Sequence, residues 1–262
     1  MLLNAGCEIS FTTTIATPVI LMLRPRSGSG QWIIREEYLI NPRLSVSEYT
    51  DNYGNLCQRL SVPPGDLTIK TTLDVDTADQ IDVQPGAPLV TVEKLPENVL
   101  KYLLPSRYCQ SDLLGKLSLE IIGDNTPGYD QVEAIRHWIN SNIEYAYGTS
   151  DASTSAVDTA RERIGVCRDF AHLGIALCRS IDIPARMVVG YLYGLEPMDL
   201  HAWFEAYVGD RWYTFDATQT RPLGNRITIA YGHDATHVAL ATQFGPLQIT
   251  GMKVWVDKST VV

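Results

Sequence analysis

The hydrophobic pattern of the chain changes from a two-residue repeat to a helical repeat, and this change limits the folds that are possible. Segments with alternating apolar and polar residues recur in the first hundred residues, at 31–40, 55–62 and 67–75. Turn-forming residues separate these segments, and helical spacing is weak there. The pattern therefore predicts an antiparallel β-sandwich-like domain over residues 1–105, ending in the proline-rich connector 84–105.

Helical spacing dominates the next part of the chain. Apolar residues recur every three or four positions in residues 130–143, which predicts one amphipathic helix. A second helix is predicted to follow the capping residues 153–155 and to end at Gly165, and a third to run from Cys167 to Pro184. Strands are predicted after the helices, at 185–193, 201–208 and 211–217. The sequence thus predicts an α+β chain with a second domain over residues 106–262.

Composition excludes several classes of protein. The chain has 21 Lys and Arg against 30 Asp and Glu, a net charge of −9, which argues against a nucleic-acid or anionic-membrane binder. The longest apolar run near the start, residues 19–23, is too short to span a bilayer and predicts a buried strand. The five cysteines are odd in number and form no Cys-x-x-Cys pair, which argues against a disulfide framework and favours a reduced, cytoplasmic chain.

Cys167 lies where one helix is predicted to end and the next to begin. The unpaired N–H groups and partial positive charge of a helix N-terminus favour a thiolate and can stabilise an oxyanion. The sequence therefore makes Cys167 a candidate nucleophile. The alternative is a buried structural thiol, because free cysteines are usually buried. That second interpretation is the one given to the other four cysteines: Cys7, Cys57, Cys109 and Cys178.

A two-residue turn, Gly209-Asp210, is predicted to join two strands in a hairpin. In such a hairpin the numbers of facing residues have a constant sum, so Trp203 faces Asp216. His201 and Asp216 then share one face as diagonal neighbours, about 7–8 Å apart between backbones, which their side chains can bridge. A slip of one residue would move them to opposite faces. The hairpin therefore predicts a His–Asp pair.

A cysteine at a helix start and a histidine oriented by an aspartate together form a thiol acyl-transfer site. His201 would be the base for Cys167 and then the acid for the leaving amine, while Asp216 would hold the imidazole. This chemistry predicts hydrolysis of a peptide or protein amide through a cysteine acyl-enzyme, without a metal or other cofactor. If an amine replaced water as acceptor, the protein would be a transglutaminase, and the sequence leaves both acceptors open.

Three motifs resemble those of the transglutaminase-like superfamily, in its bacterial cysteine-peptidase branch. They are 165–173 (GVCRDFAHL), 201–207 (HAWFEAY) and 212–218 (WYTFDAT). The resemblance is strong over residues 129–234 and extends weakly to a β-rich N-terminal region. It implies a papain-like, transglutaminase-like α+β catalytic core with Cys167, His201 and Asp216 as a Cys-His-Asp triad.

Five further residues are weaker candidates for the site. Trp203 is predicted either to wall the acyl pocket or to be part of the core. Tyr145 and Tyr147 are candidates by position for a second oxyanion donor, with packed aromatics as the alternative. His233 and His237 would suit a metal only on a helix, so a loop without metal is favoured. These two histidines also depart from the family, whose members often have Gly-Arg-Asp followed by Asp-Val there.

Two neighbours of Cys167 receive structural interpretations. His172 is predicted to be a packing or capping histidine, and Asp169 to be a first-turn capping residue.

Two competing classes of protein use the same fold or chemistry: a non-catalytic peptide-binding module, and a cysteine-dependent acetyltransferase with a thioester donor. The presence of all three triad residues argues against the first, and the lack of an evident nucleotide-binding segment against the second. The physiological substrate and the oligomeric state stay open.

Overall fold

The computed structural model describes residues 1–28 and 30–259. Residue 29 and residues 260–262, the latter at the end of the predicted second domain, lie outside the described residues. Strands fill the first part of the chain, and helices followed by strands fill the rest, so the predicted α+β class is confirmed. Within the described ranges, no helix is long and apolar enough to cross a membrane.

Six strands form the first part of the chain where its residues are described. They are β1 (Leu2–Thr13), β2 (Thr17–Leu21), β3 (Gln31–Asn41), β4 (Ser47–Thr50), β5 (Leu56–Val62) and β6 (Gly65–Thr77). Strands β3, β5 and β6 match the predicted segments to within two residues at each end. No strand is predicted at β1, although its odd-numbered residues from Leu3 to Phe11 are buried in regular alternation.

Five helices follow within residues 30–259, with three short 3-10 segments. The helices are α1 (Glu97–Leu100), α2 (Gly115–Ile122), α3 (Tyr129–Asn142), α4 (Ala156–Glu162) and α5 (Cys167–Arg179), and the 3-10 segments are Val92–Lys94, Lys101–Leu103 and Ser111–Leu113. Helix α5 begins at Cys167, as predicted. Helix α4 ends earlier than predicted, because Arg163 adopts a left-handed φ of 60° and the next two residues form a strand.

That strand is β8 (Ile164–Gly165), and it pairs in parallel with β7 (Glu144–Tyr145). The main sheet of the second half contains β9 (Ala185–Leu192), β10 (His201–Val208), β11 (Arg211–Phe215) and β12 (Arg226–Gly232), in the order β11-β10-β9-β12. Helix α5 lies directly against β10, since a Cβ at Gly174 would be 2.4 Å from Cε1 of Phe204. This close contact fixes the start of α5 relative to the sheet.

The last two strands return to the β-rich part. Strand β13 (Ala241–Gln243) pairs with β2, and β14 (Gln248–Lys258) pairs along most of β1. The two antiparallel sheets of that part have the orders β14-β1-β6-β3 and β13-β2-β5-β4. Residues predicted to belong to the second domain thus complete the sheets of the first, and the division at residue 105 stays a prediction.

Two side-chain amides join the β-rich part to the outer edge of β12. Gln31 exchanges hydrogen bonds with both backbone groups of Thr228, at 2.7 and 2.9 Å. Asn55 does the same with Tyr231, at 2.8 Å in both directions. Each amide therefore pairs like a one-residue strand with an edge that would otherwise offer free N–H and C=O groups.

Candidate active site

Helix α5 begins at Cys167, and the side chain of Asp169 closes its first turn. The N–H of Val166 donates to Oδ2 of Asp169 at 2.9 Å, so the predicted capping role of this aspartate is confirmed. Gly165 leaves the space for it, because an added Cβ would be 2.8 Å from Cβ of Asp169. Of the five cysteines, Cys167 alone is partly exposed. The chain therefore presents one thiol at a helix N-terminus.

Strands β10 and β11 form the predicted hairpin in the predicted register. Phe204 faces Phe215, so the numbers of facing residues have the sum expected from the turn. Gly209 and Asp210 both adopt left-handed conformations, with φ of 54° and 63°, as a type I′ turn requires. The turn therefore sets which residues meet at the far end of the hairpin.

His201 and Asp216 meet there and form a short hydrogen bond. The Nε2 atom of His201 lies 2.7 Å from Oδ2 of Asp216, and both side chains are buried. The Nδ1 atom has no nitrogen or oxygen partner among the described residues. The side chain of Cys167 interacts with the ring and helps to raise the pKa of His201. Nδ1 is thus the ring atom left free to exchange a proton with a neighbour.

The electrostatic surroundings favour a protonated imidazole beside an ionised carboxylate. Burial lowers the pKa of His201, but Asp216 and Cys167 outweigh it and raise the pKa to about 9. Burial likewise raises the pKa of Asp216, but the charges and hydrogen bonds of its neighbours bring that pKa well below its usual range. At neutral pH the two groups therefore form a buried ion pair.

Two partners of Asp216 were not predicted from the sequence. Thr218 donates to Oδ1 from its backbone N–H at 3.0 Å and from its hydroxyl at 2.7 Å. Arg226, at the start of β12, donates from Nη2 to Oδ2 at 2.8 Å. The Asp-Ala-Thr sequence could have indicated the first contact, because an aspartate often binds the residue two positions on. No local signal indicates the second.

Trp203 is buried beside the His–Asp pair. Its ring centroid is 6.0 Å from that of His201, and the Arg226 guanidinium lies 4.9 Å from the ring centroid on a cation–π contact. With 2% of its surface exposed, the side chain packs between these two groups. This position favours the packing role for Trp203 over that of an open pocket wall.

The parallel pairing of β7 with β8 brings Tyr145 beside Cys167. Tyr145 pairs with Gly165 in that short sheet. Burial and the neighbouring Cys167 thiol both raise the pKa of Tyr145. Tyr147 packs against Tyr145 edge-on, with ring centroids 5.5 Å apart. Of the two tyrosine candidates, Tyr145 is therefore the one that adjoins the cysteine.

Three of the other four histidines pack against aromatic rings. His233 and His237 lie outside helices, and their ring centroids are 5.9 Å apart. Both rings contact the ring of Tyr53. Among the described residues, no group of three or more His, Cys, Asp or Glu could hold a metal. His172 is fully buried and stacks on Tyr108 at 4.9 Å, which confirms its predicted packing role.

Two family models match different parts of this chain. The model of the transglutaminase-like superfamily matches residues 115–217, a range that includes Cys167, His201 and Asp216. The model of the bacterial transglutaminase-like N-terminal region matches residues 14–76, which lie in the β-rich part. The matches therefore fall on both halves of the chain.

Three similar proteins match most of this chain. The crystal structure of a "putative cysteine protease" from Cytophaga hutchinsonii is 38% identical, with a TM-score of 0.92 over all of this chain and 92% of that one. An uncharacterized protein of Mycobacterium leprae is 28% identical over 83% of this chain and 82% of its own length. An uncharacterized Mycobacterium tuberculosis protein is 24% identical over 82% and 77%, respectively. The structural similarity to the Cytophaga protein covers the whole chain and so includes the strands at both ends.

Proposed function

The chain belongs to the transglutaminase-like superfamily, and from this premise we propose that it is a thiol-dependent acyl-transfer enzyme that hydrolyses an amide of a peptide or protein. The observation that carries the proposal is the 2.7 Å hydrogen bond between Nε2 of His201 and Asp216. It leaves Nδ1 of the same ring available, and the side chain of Cys167 interacts with that ring. The name of the structure that is 38% identical supports hydrolysis rather than transfer to an amine.

In the first half of the reaction, Cys167 attacks the amide. The proton of its thiol is held by Nδ1 of His201, whose imidazole is protonated at neutral pH, and Sγ forms a bond to the carbonyl carbon. The N–H at the start of α5 stabilises the resulting oxyanion, and the hydroxyl of Tyr145 is the second donor. Asp216 stabilises the imidazolium without taking its proton.

The second half releases the two products. The Nδ1 proton of His201 moves to the leaving nitrogen, the carbon–nitrogen bond breaks, and the acyl group stays on Sγ of Cys167 as a thioester. Water then gives a proton to His201 and attacks the thioester, which frees the acid and the thiol. An amine in place of water would give a new amide by the same steps.

The acceptor can be identified by incubating the protein with a peptide library, with and without a primary amine, and analysing the products by mass spectrometry. We expect cleaved peptides from the native chain, and a loss of about 10³-fold or more in the Cys167→Ala variant. Cys178→Ala is the matched control, since Cys178 is a buried cysteine on the same helix. Amine adducts without cleavage would show transamidation instead of the proposed hydrolysis. If the native chain gave no product, the proposal that it is an enzyme would be contradicted.

Alkylation with iodoacetamide tests the nucleophile without a substrate. Because the other four cysteines are buried, the label reports on Cys167. We expect His201→Ala to slow labelling about 10- to 100-fold at pH 6, where an ordinary thiol is almost fully protonated. Equal rates in the native and variant proteins would refute the activation of Cys167 by His201.

A further inference from the structure

We propose that Arg226 is a positioning residue of this site, which holds the carboxylate of Asp216 against Nε2 of His201 and so keeps Nδ1 turned towards Cys167. The inference rests on the proposed function, because it concerns the orientation of the base. Arg226 lies on β12, which pairs with β9 and is separated from β10 by that strand.

The hydrogen bonds of Asp216 divide into two sets. Oδ1 accepts both bonds from Thr218, whereas Oδ2 accepts from His201 at 2.7 Å and from Arg226 at 2.8 Å. Without Arg226, Oδ2 would keep one hydrogen-bond partner among the described residues, the imidazole that it has to orient. Arg226 therefore supplies the anchor for Oδ2 that is independent of His201.

Arg226 is itself fixed in place. Its Nε donates to the backbone oxygen of Leu223 at 2.9 Å, and its guanidinium packs on the ring of Trp203. Only 8% of its surface is exposed. A planar guanidinium can donate from Nε to Leu223 and from Nη2 to Asp216 at the same time. A lysine ammonium on a flexible stem cannot reproduce this arrangement. The buried Trp203 thus contributes by fixing Arg226 next to His201.

The permanent charge of Arg226 has a second role during the proposed reaction. His201 alternates between a charged and a neutral state, and a buried carboxylate without a cation is costly. Arg226 stays protonated throughout, so Asp216 always faces a cation. The other charged groups around the recess that contains Asp216 are Arg221, Glu133 and Arg136. Arg136 is paired with Glu133 at 2.7 Å, which leaves Arg226 as the arginine bound to Asp216.

The test compares Arg226→Met and Arg226→Lys with the matched control Arg136→Met. Arg136 is a buried arginine of similar exposure, 7%, that binds Glu133 and the backbone oxygen of Gln219. One measurement is the downfield proton NMR resonance of the bond between His201 and Asp216. The other is the rate of iodoacetamide labelling at pH 6. A purely structural role for Arg226 would change neither measurement in the folded protein.

We expect Arg226→Met to lose or shift the resonance and to slow labelling about tenfold, the change in thiolate fraction that one pKa unit gives. Arg226→Lys should be intermediate, and Arg136→Met should match the native chain in both measurements. If Arg226→Met does not fold, Arg226→Lys provides the test. A native resonance and a native labelling rate in Arg226→Lys would then overturn the proposal. The same native result in Arg226→Met also overturns it.

The His201→Ala variant separates this inference from the proposed function. If that variant labels as fast as the native chain, the proposed function fails, whatever the result at position 226. If it labels slowly while both Arg226 variants behave like the native chain, only the positioning role fails.

Discussion

The tripeptide Asp-Ala-Thr occurs twice in the second half of the chain, at 216–218 and 234–236. Both copies form the same turn, in which the threonine donates to Oδ1 of the aspartate. The distances from backbone N–H and hydroxyl are 3.0 and 2.7 Å in the first copy, and 2.9 and 2.5 Å in the second. Both aspartates are buried, and each lies near a buried histidine, His201 in one case and His172 in the other.

The two copies differ in what the second carboxylate oxygen binds. Oδ2 of Asp216 accepts from the ring of His201, whereas Oδ2 of Asp234 accepts from the backbone N–H of Tyr108. His172 instead accepts a hydrogen bond at Nε2 from the backbone N–H of residue 235, at 3.1 Å. Burial therefore lowers the pKa of His172 to about 4, despite the nearby charge of Asp234. Of these two buried histidines, the one whose ring is bound by the carboxylate has the raised pKa, and the other has the lowered pKa.

The largest expected contrast comes from changing each aspartate to asparagine. Asp216→Asn should lower activity by about 10³- to 10⁴-fold, because an amide no longer stabilises the imidazolium and leaves the wrong tautomer. Asp234→Asn should lower the free energy of unfolding by about 1–3 kcal/mol and keep the activity per folded molecule. Peptide hydrolysis, normalised to the folded fraction from circular dichroism, measures the activity of each variant. Urea unfolding measures the free energy of unfolding. Equal losses of activity in the two variants would contradict the comparison.

The pH dependence of stability should differ in sign between the two histidines. The pKa of His201 is raised from 6.5 to about 9, so its stabilising contribution is complete below pH 6.5 and is lost as pH rises through 9. The loss should be of the order of 3 kcal/mol. Urea unfolding of the native chain and of His201→Asn at pH 6.5 and 9 measures it. Identical pH slopes for the two proteins would refute the ion pair.

His172 should act on the acid side. Its pKa is lowered to about 4, so the unfolded chain takes up a proton that the folded chain does not, and stability falls as pH drops from 6.5 to 4. His233, whose pKa is also lowered to about 4, contributes in the same window. The His172→Asn variant should therefore show a shallower acid slope than the native chain in urea unfolding. A steeper slope would mean that His172 is charged in the fold.

The smallest contrast concerns the two threonine hydroxyls. Thr218→Val and Thr236→Val each remove one hydroxyl donor to a buried carboxylate, and each should cost about 1 kcal/mol of stability. Only Thr218→Val should also slow hydrolysis, by about fivefold, an effect of about 1 kcal/mol on the transition state. Parallel measurements of unfolding and hydrolysis decide this. A matching loss of hydrolysis in Thr236→Val would mean that the second turn also supports the site.

The His–Asp pair could be predicted because its geometry is local. A two-residue turn fixes the register of β10 and β11, so the placement of His201 and Asp216 follows from counting. The contact of Tyr145 with Cys167 depends instead on pairing between two-residue strands, which are too short to show any periodicity. Arg226 likewise reaches Asp216 from a strand that is not adjacent in the sheet.

The elements of the fold likewise divide into those that a local sequence pattern predicts and those that depend on distant pairing. Strands β3, β5 and β6 and helices α3 and α5 follow from alternation or helical spacing within each segment. Strand β1 also has buried residues at every second position, although no strand is predicted there. Its partner β14 lies more than two hundred residues further along the chain. No local pattern encodes a pairing over that distance.

The position of β14 beside β1 has a consequence for synthesis on the ribosome. Strand β1 can pair with β6 early, but its other edge stays unpaired until β14 has been translated. About 170 residues separate β6 from β14, which corresponds to roughly 10–30 s of translation at typical rates. An unpaired strand edge readily binds other chains. The nascent protein is therefore most exposed to aggregation while its second half is being made, and least exposed once β14 has paired.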